Sequence, residues 1–291
     1  MRTVIVLGVA LLLSACGGST SAAGKLDVVA AENTYGNIAS QIGGPHVSVT
    51  SILTSPSADP HLFEPGTSNG LAVANARVVL QNGLGYDAFM TRLENASPSK
   101  SRDVVTMSDV LDVNGKDANP HLWYDVPRLD RVAVAIATAF ERADPHHAAA
   151  YRAGVSSFER SLAPLRQEVA TIRARFHGAP IAYTEPVPGY LVAAAGLRNL
   201  APDSFTRLIE QGAEPSPSAV AAMSSLISEH EVRVLLYNRQ AVSPITAKLR
   251  GAAQSAGIPV VPVSETLPPH QTFQQWQLGQ ARALAAALAK R

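Results

Sequence analysis

Short apolar, β-branched runs alternate along this chain with longer segments whose apolar residues recur at helical spacing. Residues 26–31, 47–53, 78–81, 104–107, 180–184, 232–237 and 258–263 read as strands; 71–76, 87–95, 218–229 and 245–256 read as helices. Such alternation specifies βαβ units and parallel sheets. Strands apolar on both sides predict helices on both faces of each sheet. Between 127 and 176 the rhythm breaks and no strand candidate occurs. There Tyr151, Val155, Phe158, Leu162, Leu165, Val169, Ile172 and Phe176 follow one another at steps of four and three, a one-sided helical stripe. Asp144 before Pro145 is a start signal and His177-Gly178 a stop. A helix of this length runs roughly 48 Å at 1.5 Å per residue. Pro164 lies inside it and should kink or split it. The stripe reads as a core face more readily than as a coiled-coil seam. The expected fold is therefore α/β with two lobes, each a mainly parallel sheet flanked by helices. The N-terminal lobe spans 26–143 and the C-terminal lobe 179–291, joined by a stiff linking helix over 144–178.

The N-terminus departs from this pattern. Arg2 precedes an apolar run over 4–13, and Leu13-Ser14-Ala15-Cys16 leads into Gly17-Gly18-Ser19-Thr20-Ser21. The run is too short to span a bilayer and ends in small residues, so 1–15 reads as a signal peptide. Leu-Ser-Ala-Cys resembles a bacterial lipobox, in which cleavage leaves Cys16 lipid-modified. Cys16 is the single cysteine, so no intramolecular disulfide is available. Residues 16–25 read as a lipidated, flexible tether. The mature chain of about 275 residues suits two α/β lobes. Net charge +1 and 46% hydrophobic residues indicate a globular protein, and no basic run suggests nucleic acid. The expected location is extracytoplasmic, at the outer face of a membrane, as a monomer.

The histidines carry the chemistry. Of eight, His46, His146, His147, His177 and His230 fall at turns or helix ends, where capping or exposure explains them. His61 in "SADPHLFEP" and His121 in "DANPHLWYD" share a different setting. Each follows a proline, precedes a Leu-aromatic pair, and lies beyond a strand-like segment, where α/β folds place ligand sites. Proline restricts the backbone before the imidazole, and the aromatic two residues on can pack beneath it. Glu185 ends the strand-like "PIAYTE" and Glu265 ends "IPVVPVSE". Placed in facing lobes, two histidines and two carboxylates could close a four-ligand cage in the cleft. His270 is a substitute ligand or a group bonded to one.

These residues match a family. The pattern resembles the cluster A-I solute-binding lipoproteins of zinc and manganese ABC importers, over nearly the whole mature chain. "AAENTYGNIASQIGG" looks like the family's first strand and helix, and "VVLQNGLGYDAFM" resembles its Asn-Gly segment. "SADPHLFEP" is similar to the family's first ligand motif and implies His61; "NPHLWYD" is similar to the second and implies His121. Asn119 replaces the usual Asp there, which should alter a supporting hydrogen bond and not the ligand. The third ligand falls on Glu185 and the fourth on Glu265, where "VSETLPP" departs from the usual pattern.

The resemblance implies capture of one divalent transition metal ion and its delivery to an ABC permease. Four protein ligands mark a binding site and not a catalytic one. No histidine occurs between Glu94 and Pro120, where zinc importers of this family often carry a His-rich loop. That gap, and carboxylates able to bind through two oxygens, favour manganese over zinc, with ferrous iron a third candidate. Two rivals remain at this stage. A binding protein for a metal chelate, or an adhesin, would need an aromatic or Arg-lined cleft. A secreted zinc hydrolase would need one ligand fewer and a base, for which Glu64 is the candidate.

Overall fold

A computed structural model describes residues 24–57 and 60–290, without the side chain of His61. The signal peptide, Cys16, most of the tether and the His61 imidazole thus lie outside the described residues. The N-terminal half runs β1 (Leu26–Glu32), α1 (Asn33–Gly43), β2 (Val47–Leu53), α2 (Thr67–Asn75), β3 (Val78–Gln81), α3 (Ala88–Ala96), β4 (Asp103–Thr106), the single turn α4 (Met107–Val110) and α5 (Leu129–Ala143). Then come α6 (Ala148–Ser161) and α7 (Ala163–Phe176). The remainder runs β5 (Pro180–Tyr183), α8 (Gly189–Ala194), β6 (Arg198–Asn199), α9 (Asp203–Glu210), α10 (Pro217–Ser228), β7 (Leu235–Asn238), α11 (Pro244–Ser255), β8 (Val260–Val263) and α12 (Phe273–Ala289).

The strands form two four-stranded sheets, ordered β2-β1-β3-β4 and β6-β5-β7-β8, and every pairing is parallel. This is the expected α/β architecture of two sheets with covering helices. Parallel pairing requires a crossover between neighbours, and the intervening helices supply it. Each sheet has its first strand near the centre, so the chain reverses direction there and opens a crevice at the carboxyl ends of the strands.

The long helix is bent. α6 stops at Ser161, Leu162 intervenes, and α7 begins at Ala163 with Pro164 in its first turn. A proline there gives up no helical bond, because first-turn N–H groups have no partner within the helix. The stripe is a core face: Tyr151, Phe158, Leu162, Leu165 and Ile172 are at most 1% exposed. It packs against α1, α5 and α12. The two halves share one hydrophobic core, running from Leu26 to Leu288, and a second cluster lies beneath α9, α10 and α11. α12 ties the ends of the chain together. Phe273 N donates to Asn37 Oδ1 at 2.9 Å, and Gln274 Nε2 donates to Gln41 Oε1 at 2.8 Å and Ser161 Oγ at 2.6 Å.

Close approach of α6 to α1 depends on Gly154. A Cβ built there would stand 2.2 Å from the carbonyl oxygen of Ile42, whose backbone is fixed in α1. Gly279 in α12 has nothing within 4 Å of the same position. Gly154→Ala is therefore expected to cost about 1–3 kcal/mol or more by overpacking. Gly279→Ala should gain about 0.5–1 kcal/mol by removing helical glycine. Thermal unfolding of the two variants should move Tm in opposite directions; shifts of the same sign would refute the packing argument.

Candidate metal centre

In the second sheet β5, β7 and β8 are neighbours, and their carboxyl ends set three side chains in a row. Glu185 follows β5 by two residues, Asn238 is the last residue of β7, and Glu265 follows β8 by two. Registers of Tyr183 with Leu236 and Asn238 with Val263 level these ends, one strand spacing of about 4.8 Å apart. All three are buried, at 1%, 1% and 0% exposure. Asn238 Nδ2 donates to Glu185 Oε2 at 2.5 Å and to Glu265 Oε1 at 2.7 Å. Gln240 closes the loop behind Glu265: its Oε1 accepts from Glu265 N at 2.7 Å and Thr266 N at 3.2 Å.

The first sheet supplies the opposite wall. His121 is fully buried and opens the 3-10 turn Leu122–Tyr124. Its Nε2 lies 3.2 Å from Glu265 Oε2. Asn119 sets the ring. Asn119 Nδ2 donates to the Pro186 carbonyl at 2.7 Å, so its Oδ1 is the acceptor for His121 N at 3.0 Å and for ring Nδ1 at 2.8 Å. Asn119 thus holds a proton on Nδ1 and turns Nε2 toward the cluster. It supplies the supporting hydrogen bond to the ring. Trp123, two residues on, packs edge-on against the imidazole with centroids 5.5 Å apart. Asn82 Nδ2 donates to the Pro120 carbonyl at 2.8 Å, and Tyr35 Oη donates to Asn82 Oδ1 at 2.7 Å.

Tyr86 reaches across from the loop after β3 and donates to Glu265 Oε2 at 2.9 Å. That loop is a left-handed turn: Gly83, Leu84 and Gly85 have φ of 85°, 57° and 82°. Glycine admits this at two of the three positions at little cost. Burial, and then the charge of Glu265, hold the Tyr86 phenol well above its ordinary pKa, so it remains a donor.

His121, Glu185 and Glu265 each offer a ligand atom within 4.8 Å of the others, the one such group among the described residues. His61 belongs to a 3-10 turn, Pro60–Leu62, beyond β2, and Phe63, two residues on, packs on Phe89 with centroids 5.0 Å apart. Ser55, upstream of that turn, accepts from Thr266 Oγ1 at 2.9 Å, which joins the His61 loop to the Glu265 loop. His270 is exposed, with φ of 62°, and does not join the group. Glu64 is exposed as well. The sequence reading missed Asn238, Tyr86, Asn82 and Gln240. Their signals are slight: an amide or phenol at a strand end or in a loop reads as turn chemistry.

Glu32, the last residue of β1, adds a buried acid. It is 1% exposed, and its carboxyl lies against that of Asp87. Burial, then the charge of Asp87, raise its pKa well above the usual carboxylate range. A raised folded-state pKa means that the folded protein keeps a proton which the unfolded chain loses. Stability from this group is full below the unfolded value near 4.5 and declines as pH rises toward the folded one. Glu32→Gln is therefore expected to flatten the alkaline side of the Tm–pH profile. An unchanged slope between pH 5 and 9 would contradict this.

The chain matches known proteins across this architecture. It is 30% identical to the manganese-binding lipoprotein MntA of Bacillus subtilis (strain 168) over 182 residues, 57% of this chain and 58% of that protein. It is 25% identical over 244 residues to the manganese ABC transporter substrate-binding lipoprotein scaA of Streptococcus gordonii, covering 78% and 76% of the two chains. The alignments to the first two curated relatives span 58% and 56% of those relatives' length, little more than half. The periplasmic zinc-binding protein TroA of Treponema pallidum superposes with a TM-score of 0.76 at 19% identity, over 92% of this chain and all of that one, which establishes the shared fold. The family model for zinc-uptake complex component A, periplasmic (ZnuA), matches residues 28–287. The chain belongs to that family, one of substrate-binding proteins and not of enzymes.

Proposed function

We propose that this protein is an extracytoplasmic, lipid-anchored solute-binding protein that captures one divalent transition metal ion and delivers it to the permease of an ABC importer. The observation that carries this reading is the convergence of His121, Glu185 and Glu265, all buried, within 4.8 Å. Two carboxylates brought together out of water repel each other, and a divalent cation turns that repulsion into attraction. With His61 as the fourth ligand, two neutral imidazoles and two carboxylates carry −2, which matches M²⁺. The relatives' names as manganese-binding and metal-transporter lipoproteins support the same class of cargo. The lipid is carried on Cys16, and the donor set admits both manganese and zinc.

The ligands divide between the lobes: His121 and the loop that carries His61 on one side, the two carboxylates on the other. Opening the lobes therefore halves the site, and metal release follows. The bonds that would have to break include Tyr86 to Glu265, Asn119 to Pro186, Thr266 to Ser55, and the ion pair of Asp117 with Arg207 at 2.5 Å. The test is elemental analysis and native mass spectrometry of protein purified without added metal, then reloaded with Mn²⁺ and Zn²⁺ in competition. One metal ion per chain, removed by a chelator, is expected. No stoichiometric metal after reloading refutes the proposal, and so does loss of a larger organic ligand.

A further inference from the structure

We propose that a cleft behind the loop that carries Glu265 is a second ligand site, and that it takes a small organic carboxylate. The cleft lies between β8, the loop 264–271 and α12, away from the metal centre, and the proposal does not depend on the metal reading. Its volume is about 230 Å³, and Arg239, Pro262, Pro268, Trp276, Gly279 and Gln280 are among its walls. Drug-sized ligands occupy about 300–1,000 Å³, so this cleft suits a smaller molecule. Gln280 carries the argument. It is 9% exposed, and Ser264 N donates to its Oε1 at 3.2 Å. A backbone N–H can only donate, so this bond fixes which end of the amide is oxygen. The NH₂ is the other end, and its Nε2 has no hydrogen-bond partner among the described residues. A buried donor left unpaired is costly, and an acceptor seated in the cleft removes that cost.

Arg239 adds a cation to the same cleft. It is exposed, and among the described residues the arginine ion pairs belong to Arg128, Arg131, Arg142, Arg152 and Arg207, not to Arg239. Burial raises the Tyr124 pKa, and the charge of Arg239 is among the influences that lower it. Tyr124 Oη bonds Gln280 Oε1 at 2.7 Å, so the guanidinium stands within electrostatic reach of the Gln280 amide. Two donors, one of them a permanent cation, call for an anion with two acceptor oxygens. The remaining wall is apolar. Trp276 is held edge-on by Tyr124 and Phe273, and its Nε1 donates to Ser264 Oγ at 3.1 Å. Gly279 leaves open space, where a Cβ would meet nothing within 4 Å. A flat apolar body fits that strip, and inorganic phosphate has none. The complementary ligand is therefore a carboxylate on a small apolar frame.

Benzoate is the probe, added to metal-free protein so that no bound ion can hold it. The Trp276 indole N–H and the Gln280 side-chain amide are followed by NMR. Both signals should shift and saturate, with a Kd of about 1 mM or below. Benzamide, which lacks the charge, and inorganic phosphate, which lacks the apolar frame, should each bind at least about tenfold more weakly. Arg239→Gln removes the cation from an exposed position, and Gly279→Leu fills the open strip; each should weaken benzoate by about tenfold or more. The inference is overturned if neither signal saturates below about 10 mM. It is also overturned if either control binds as tightly as benzoate, or if benzoate binds either variant as tightly as the parent. Should Gly279→Leu fail to fold, the parent titration and Arg239→Gln decide. Metal capture stands in every case, because no metal ligand is altered.

Discussion

Glu265→Gln is expected to lower the affinity for zinc and manganese by about a hundredfold or more while the metal-free protein still folds. The loss follows from removing one of two anionic ligands opposite a buried dication. Breaking a buried charge pair costs about 3–5 kcal/mol, and each 1.4 kcal/mol is about tenfold in binding. The fold should survive because glutamine has the same size and keeps most of the hydrogen bonds. Its oxygen accepts from Asn238 Nδ2, its amide nitrogen can donate to His121 Nε2, and the one bond lost is the one Tyr86 Oη donates to Glu265 Oε2. Chelator competition measures the affinity, and thermal unfolding without metal measures the fold. The parent should also gain Tm on metal addition, and the variant should lose most of that gain, because ligand binding stabilises in proportion to RT ln(1 + [L]/Kd). A variant that holds metal as tightly as the parent would remove Glu265 from the site. It would revive the three-ligand arrangement that a zinc hydrolase needs.

Trp123→Ala should be the most destabilising single change near the site. Trp123 is fully buried between Tyr35, Tyr86 and His121, with ring centroids at 6.1, 5.0 and 5.5 Å and edge-to-face geometry throughout. Emptying such a position costs about 3–5 kcal/mol. At about 2–4 °C per kcal/mol for a chain of this size, Tm should fall by roughly 6–20 °C. The change also reaches the chemistry, because the indole edge limits tilting of the His121 ring. Metal affinity should fall along with Tm. Trp123→Phe separates the two effects. It keeps an aromatic edge near the imidazole and drops an indole N–H that has no partner among the described residues, so its losses in Tm and affinity should both be smaller. If Trp123→Ala leaves Tm within 2 °C or so of the parent, the ring is not a packing element of this site.

Much of the architecture was readable because local pattern and tertiary role agree. Seven of the strands lie in short apolar runs that stand out from the helical segments, and the stripe from Tyr151 to Phe176 is regular because one helix face is buried along its length. The exceptions have physical causes. β6 has two residues, too few for any periodicity. α12 buries Gln274, Gln277 and Gln280 among its apolar residues, so its inner face does not look apolar in sequence. Two of those glutamines bridge: Gln274 bonds to Gln41 and Ser161, and Gln280 Oε1 accepts from Tyr124 Oη at 2.7 Å.

The site divides in the same way. The sequence by itself marked the candidate donors in loops beyond strands: the imidazoles of the two Pro-His-Leu-aromatic stretches, and a carboxylate after β5 and after β8. Those features are local, set by backbone pattern and neighbouring residues. Only the tertiary structure decided that His121, Glu185 and Glu265 meet, because their meeting depends on strand order, and β7 lies between β5 and β8. The same order put Asn238 between the two glutamates. An asparagine at a strand end carries no mark of its role in sequence; its role comes from having a carboxylate on either side, 53 residues before it and 27 after.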